Sequence, residues 1–165
     1  MGLFKRFSNI TQPMARVLKQ QYLVLLAEDS EDDGLLLEMA FGHLDRLRLL
    51  PRMIDGEETI SYLRGDGKFS DRRKYPLPDL LLLDLKMPRL DGFQVLKWLR
   101  ANPFPKLVVA VLSGSNDPEQ MTQALDLGAH FFHTKELGNG AQLAALRALQ
   151  NQVVRNKELM PALPV

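Results

Sequence analysis

The run Asp79-Leu80-Leu81-Leu82-Leu83-Asp84 puts a carboxylate at the end of an apolar stretch of strand length. An unpaired charge there costs several kcal/mol or shifts its pKa, so a compensating partner is expected. Glu28-Asp29, Ser113 and Lys135 each stand at or just beyond the end of another apolar stretch. If those stretches are neighbouring parallel strands, these five polar residues form a site for a divalent cation and a phosphoryl group. Glu28, Asp29 and Asp84 would repel one another at one mouth, and one would hold a proton. Mg²⁺ removes that conflict, since it prefers oxygen ligands and is typically held by one or two carboxylates plus a phosphate. Asp84 is then a plausible nucleophile that accepts a phosphoryl group as an acyl phosphate. Such transfer rests on positioning and electrostatics. Ser113 can donate to a phosphoryl oxygen, Gly114 leaves space for it, and Lys135 supplies a point positive charge.

Each residue alone has a plainer reading. Glu28-Asp29 could merely favour a helix N-terminus through the macrodipole. Ser113 alone is an unremarkable strand-end serine and Lys135 a solvated lysine. Asp91 reads as a helix cap rather than a catalytic acid, and Asp32 and Asp33 as solvated first-turn residues. His43, His130 and His133 show no metal-ligand spacing, and Trp98 reads as packing. The plain readings fail on the joint placement at four strand ends.

The elements that must position these groups alternate short β-like runs with helix-period stretches, the pattern of a parallel sheet covered on both faces. Strands are expected at Tyr22 to Ala27, Leu47 to Ile54, Asp79 to Asp84, Leu107 to Leu112 and Ala129 to His133. Pro51 interrupts the second, which belongs at a sheet edge. Ser30 caps a first helix whose apolar face is read as Leu35, Leu36, Met39 and Leu44. Further helices are expected at Glu57 to Leu63, from an Asp91 cap to Arg100, at Asp117 to Leu127, and from about Asn139 to about Lys157. Arg64 to Pro78, rich in breakers, is read as a loop. This is an α/β, doubly wound, five-stranded parallel sheet of order 2-1-3-4-5, and its ligands bind outside the carboxyl ends of strands one and three.

The chain of 165 residues carries a net charge of +1, which argues neither for nor against nucleic acid, and no nucleic-acid partner is expected. Without cysteine it has neither disulfides nor thiolate metal sites, and it suits a reducing cytoplasm. No apolar stretch is long enough to span a bilayer. The expected division is an N-terminal arm over 1–21, a domain over 22–157 and a tail over 158–165. In the arm, Leu3, Phe4, Phe7, Ile10, Met14, Val17 and Leu18 recur at helical spacing among Lys5, Arg6, Arg16 and Lys19, with Pro13 dividing them. It is read as a basic amphipathic segment that contacts protein.

From about Tyr22 to about Val154 the chain resembles the receiver domain of bacterial two-component response regulators, a flavodoxin-like fold. Asp84 within LLLDLKMPRLDG matches the phosphoacceptor, and Glu28-Asp29 the acidic pair. The resemblance implies that Asp29 ligates Mg²⁺ directly, that Glu28 acts largely through water, and that Lys86 gives its backbone carbonyl. It assigns Ser113 as the switch hydroxyl, Lys135 as the invariant lysine and Phe132 as the aromatic that changes rotamer. Lys86 and Ser115 fall at the two variable positions that tune loss of phosphate. Receivers usually place proline after this lysine through a cis bond; here Glu136 follows, and a trans peptide is expected. The missing proline and a long connection after the second helix resemble the stand-alone regulators that partner phytochrome-type histidine kinases.

The resemblance implies a phosphoacceptor rather than an enzyme. A histidine kinase donates to Asp84, and the domain signals through altered protein contacts or relays to a phosphotransfer protein. The alternative is a receiver-like interaction module that works without phosphorylation. A phosphatase of the aspartyl-nucleophile type wants an acid two residues after the nucleophile, where Lys86 stands. A homodimer is expected from the apolar stripe Leu143, Leu146, Leu149, Val153 on the last helix, widened by Ala141, Ala144, Ala145 and Ala148.

Overall fold

A computed structural model describes residues 20–135 and 139–159. The N-terminal arm, the C-terminal tail from Met160 and the Lys135–Glu136 peptide fall outside the described residues. Five strands, β1 (Tyr22–Ala27), β2 (Leu47–Leu49), β3 (Leu80–Asp84), β4 (Val108–Ser113) and β5 (Phe131–Thr134), form one parallel sheet of order β2-β1-β3-β4-β5. The helices are α1 (Glu31–Phe41), α2 (Gly56–Arg64), α3 (Gly92–Ala101), α4 (Pro118–Asp126) and α5 (Asn139–Leu159).

Because successive strand side chains point to opposite faces, the leucine run of β3 feeds two cores. Leu81 and Leu83 pack with Leu25, Ala27, Val109 and Val111 beneath α2, α3 and α4, through Tyr62, Leu63, Val95, Leu96 and Ala124. Leu80 and Leu82 pack with Val24, Leu26, Val108 and Ala110 beneath α1 and α5, through Leu37, Phe41, Leu146, Leu149 and Val153. Each fully buried leucine is worth about 1.5–3 kcal/mol, enough for the run to anchor the sheet centre and hold Asp84 at a fixed height.

Register brings the strand ends level. Ala27 pairs with Leu83, Asp84 with Leu112, and Ser113 with Thr134. Glu28, Asp84, Ser113 and Lys135 therefore leave the sheet along one edge, where the switch in strand order opens a crevice. At the opposite edge Asp79 fixes the start of β1: its carboxylate accepts from the Leu23 N–H at 2.8 Å and pairs with Lys157 of α5 at 3.3 Å.

The helix starts follow the caps. The Ser30 side chain accepts from the Asp33 N–H, Asp55 from the Glu58 N–H and Asp117 from the Glu119 N–H. Asp91 forms a full capping box with Gln94. Trp98 packs on Phe104 with ring centroids 6.0 Å apart.

Four expectations need correction. The buried face of α1 is Gly34, Leu37, Ala40 and Phe41, while Leu35, Leu36 and Met39 are exposed. Three consecutive leucines allow two helical registers, and the sheet selects the one that Phe41 completes. β2 ends at Leu49, before Pro51, and its line continues only as a bridge between Ala27 and Met53. The stretch after α2 is an ordered excursion containing a 3-10 turn, Gly67–Phe69. In it Phe69 and Tyr75 stack on buried Tyr62, and Arg72 donates to the last α2 carbonyls, Tyr62 at 2.8 Å and Leu63 at 2.7 Å. Finally, the apolar stripe of α5 turns inward: Leu146, Leu149 and Val153 are buried inside the subunit and Leu143 is half-buried, while Ala141, Ala144 and Ala148 stay exposed, so its large side chains are not the uncovered surface from which a dimer was expected.

Candidate functional site

The β1–α1 loop carries Glu28 and Asp29. Glu28 is 1% exposed and Asp29 faces solvent. Glu28 Oε1 accepts from the Ser30 N–H at 3.1 Å, which folds the loop back over the carboxylate. Arg52 holds the same loop from β2's side, donating to the Glu28 carbonyl at 2.9 Å and the Ser30 carbonyl at 3.3 Å. Asp84, buried at the end of β3, completes the acidic group: one oxygen from each of Glu28, Asp29 and Asp84 lies within 4.8 Å of the others.

Lys135 enters from the end of β5, its backbone N–H fixed on the Ser113 carbonyl at 2.7 Å. Its ammonium meets Glu28 Oε2 at 2.6 Å, Asp33 Oδ2 at 2.9 Å and Asp84 Oδ1 at 3.5 Å. Asp33, read from sequence as a solvated first-turn acid, is instead part of this cluster. As the third residue of α1 it sits one turn above Ser30, and the helix brings its side chain back over the site. Burial pushes the Asp84 carboxyl above its ordinary value against the pull of Lys135 and of the Lys86 backbone N–H, and the Asp29 charge adds to the rise. Burial likewise raises Glu28, opposed by its hydrogen bond to Lys135 and reinforced by the Asp84 charge. For Lys135 burial acts downward, but hydrogen bonds to Glu28 and Asp33 and the Asp84 charge outweigh it and lift the ammonium well above the usual lysine value. Burial is thus the main cause that raises both acids, and Lys135 the main charge that opposes it.

The remaining predicted residues gather nearby. Ser113 is buried, and its Oγ accepts from the Ser115 N–H at 3.1 Å; Ser115 Oγ in turn accepts from the Asp117 N–H. Gly114 is exposed, and a Cβ there would meet nothing within 4 Å. Phe132 packs partly buried against the core beneath α2, α3 and α4. The Lys86 side chain is exposed. Two supporting residues escaped the sequence reading: Arg52, and Arg89, which takes a left-handed φ of 60° and pairs with the buried Asp55 that caps α2. Only the MPRLDG turn hinted at Arg89, and nothing in the local pattern marked Arg52.

The loop after Asp84 returns tightly. The Gly92 N–H donates to the Leu85 carbonyl at 3.0 Å, and a Cβ on Gly92 would crowd the Asp84 carbonyl oxygen and lie 2.8 Å from Leu85 Cα. Gly92→Ala is therefore expected to destabilise by about 1–3 kcal/mol, because backbone atoms rather than a flexible side chain must move. Gly114→Ala is expected to stay within about 1 kcal/mol of the parent. Urea unfolding of the two variants checks this, and equal midpoints would show that the Asp84 turn yields freely.

Comparison with known proteins follows the same geometry. A family model for the response regulator receiver domain matches residues 24–147. The chain belongs to the response regulator receiver family. Among relatives, "Response regulator Rcp1" of Synechocystis sp. is 29% identical over 116 residues, covering 68% of this chain and 76% of Rcp1. Its Mn(2+)-bound crystal structure shares the fold, with a TM-score of 0.72 at 24% identity, covering 87% of this chain and 99% of that one. The phosphorylated cyanobacterial phytochrome response regulator RcpA superposes with a TM-score of 0.74 at 25% identity, covering 83% of this chain and 96% of RcpA. Response regulator RPA3017, in red light signaling of R. palustris, is 36% identical with a TM-score of 0.68, covering 78% and 90%. Among the described residues of this receiver, no helix is long and apolar enough to cross a membrane.

Proposed function

We propose that Asp84 accepts a phosphoryl group from a phosphohistidine of a histidine kinase, and that the acyl phosphate alters protein contacts of the domain. The kinase is proposed to be of the phytochrome type, on the likeness to RcpA, and the setting to be the cytoplasm. One observation carries the reading: the buried carboxylate that ends the central strand β3 lies both against an acidic pair and 3.5 Å from a lysine ammonium. In the transfer an Asp84 oxygen forms a bond to phosphorus as the nitrogen–phosphorus bond of the donor breaks, and the bonding pair stays with the imidazole. Attack requires the ionised carboxylate, which Lys135 favours against burial. Ser113, with Gly114 leaving room beside it, and Lys135 are proposed to receive the phosphoryl oxygens, and Phe132 to respond to Ser113.

Glu28, Asp29 and Asp84, with the Lys86 carbonyl, are proposed to hold Mg²⁺. The donor set fits, being all oxygen, with one oxygen from each of Glu28, Asp29 and Asp84 within 4.8 Å of the others. A bound divalent cation would neutralise charge on the transferring group. The contact that phosphorylation alters is proposed to involve α1, whose Leu35, Leu36 and Met39 form an uncovered apolar patch on the helix that Asp29 leads into. A phosphotransfer protein is one partner such a patch would suit.

Incubation with acetyl phosphate and Mg²⁺ is expected to add one phosphoryl group, sensitive to hydroxylamine and mapping to the peptide that contains Asp84. No uptake from either acetyl phosphate or a kinase would favour an interaction module instead. Lys86, exposed two residues beyond Asp84, is proposed to hinder water in line with the acyl phosphate. Lys86→Ala is expected to speed loss of phosphate by up to about tenfold, a small part of what alignment of a nucleophile can contribute. An unchanged decay of the radiolabel removes this role.

A further inference from the structure

We propose that Asp33 is a positioning residue that tethers the Lys135 ammonium between α1 and Glu28, keeping it from closing on Asp84. The inference rests on the receiver reading above and concerns a residue outside the acidic group that would hold the cation. Both ends of the contact are fixed. The Asp33 N–H is held by Ser30 Oγ at 3.2 Å at the helix cap, and the Lys135 N–H by the Ser113 carbonyl. Between them the lysine side chain is 16% exposed, and its three ammonium protons face three carboxylates at 2.6, 2.9 and 3.5 Å. The longest of these is to Asp84, the carboxylate that must bind both cation and phosphoryl group.

An exposed ion pair would count for little. Here the lysine is largely buried, and its alternatives to Asp33 are the two buried acids of the cation cluster. Taking Asp33 away does not free the ammonium into water; it leaves Glu28 and Asp84 as its partners. A lysine already on Glu28 and drawn in from 3.5 Å onto Asp84 competes with a divalent cation for the Asp84 oxygens. Asp33 thus promotes cation binding without ligating, by sharing a competitor. The same sharing gives the ammonium a second resting place from which a phosphoryl group on Asp84 can draw it.

The test compares Asp33→Ala with Asp32→Ala in the full chain. Asp32 carries the same charge one residue earlier in the first turn of α1, is exposed, and is not among the partners of Lys135. Calorimetric titration with Mg²⁺ is expected to show a roughly three- to tenfold loss of affinity in Asp33→Ala, at or below the roughly 10- to 100-fold that partners bonded directly to a metal's ligands contribute, because Asp33 acts only through the lysine. Asp32→Ala is expected to stay near the parent, and Asp33→Glu to recover part of the loss. In metal-free protein the ¹⁵N resonance of the Lys135 ammonium is expected to shift in Asp33→Ala and hold still in Asp32→Ala. Equal affinity losses in both variants would reduce Asp33 to a contributor of general negative field, and an unmoved resonance would remove the tether. A parent chain that binds no Mg²⁺ overturns the metal part of the receiver reading, and the resonance then decides the role of Asp33 by itself.

Discussion

Replacing Asp84 by asparagine is expected to abolish phosphoryl uptake and, in the same molecule, to stabilise the metal-free fold at neutral pH. Both effects come from one carboxylate. Uptake is lost because an amide cannot form the acyl phosphate. Stability rises because Asp84 is buried beside Glu28 and Asp29, and burial together with the Asp29 charge raises its pKa despite Lys135. For an acid whose pKa is raised on folding, the native state binds more protons than the unfolded chain, so stability falls as pH climbs from the ordinary value of 3.8 through the folded one. Above that window the ionised group opposes folding. Asparagine keeps the shape, offers an oxygen to Lys135, and leaves that ammonium its contacts with Glu28 and Asp33. In EDTA at pH 7 the variant's Tm is expected to exceed the parent's by roughly 2–4 °C for each kcal/mol relieved. The gap is expected to narrow on acidification, as Asp84 of the parent takes up its proton. Intact-mass spectra after acetyl phosphate treatment check the first effect and melts at two pH values the second. Undiminished labelling would move the phosphoacceptor elsewhere, and a lowered Tm would mean that the Asp84 charge supports the fold.

What the sequence made legible was whatever depends on strand pattern and caps. The leucine run of β3 reads as a strand buried on both faces, and Pro51 sends β2 to the edge, which is where it lies. With the strand order in place, the ends of β1, β3, β4 and β5 must share one side of the sheet, so Glu28, Asp84, Ser113 and Lys135 could be brought together before any coordinates. Ser30 and Asp91 were legible as caps because a side-chain oxygen before an apolar period has one economical use. The reading failed where tertiary contact chooses between local equivalents. Leu35-Leu36-Leu37 supports two faces of α1, and only the sheet decides that Leu37 goes in. Asp32 and Asp33 are the same residue type in the same first turn, yet 100° of helical rotation puts one in solvent and the other on Lys135. Arg52 and Arg72 organise loops by donating to backbone carbonyls, which carry no sequence signature. The long excursion after α2 looked unstructured because its order comes from Phe69 and Tyr75 closing on Tyr62, three aromatics without a shared period.

Lys135→Met tests the electrostatics of the site from its other side and is expected to give the largest loss of stability of any single change in the cluster. The methionine can follow the lysine stem, so packing is nearly conserved while the ammonium disappears. Glu28 and Asp84, both buried, then have no cation, and Asp33 loses its partner. Removing one side of a buried charge pair typically costs about 3–5 kcal/mol. For a chain of this size that corresponds to a Tm lower by roughly 6–20 °C in EDTA at pH 7. The pH dependence runs in a fixed direction. Lys135 holds a pKa raised above its ordinary 10.5, so its own titration removes none of its stabilisation below that value, and the variant's loss is complete at neutral pH. Lys135 is also the main charge holding the Glu28 and Asp84 pKa values down, so without it both acids protonate at higher pH. Acidification below pH 7 is therefore expected to shrink the deficit as the two acids take up protons, because neutral carboxyls no longer need the ammonium. Mg²⁺ is expected to shrink it at pH 7, because Glu28, Asp29 and Asp84 then face a cation of another kind. Recovery by both routes identifies a charge deficit among the acids. A Tm deficit unmoved by either acid or Mg²⁺ would assign the lysine a packing role, and the acids would have to be balanced by some other group.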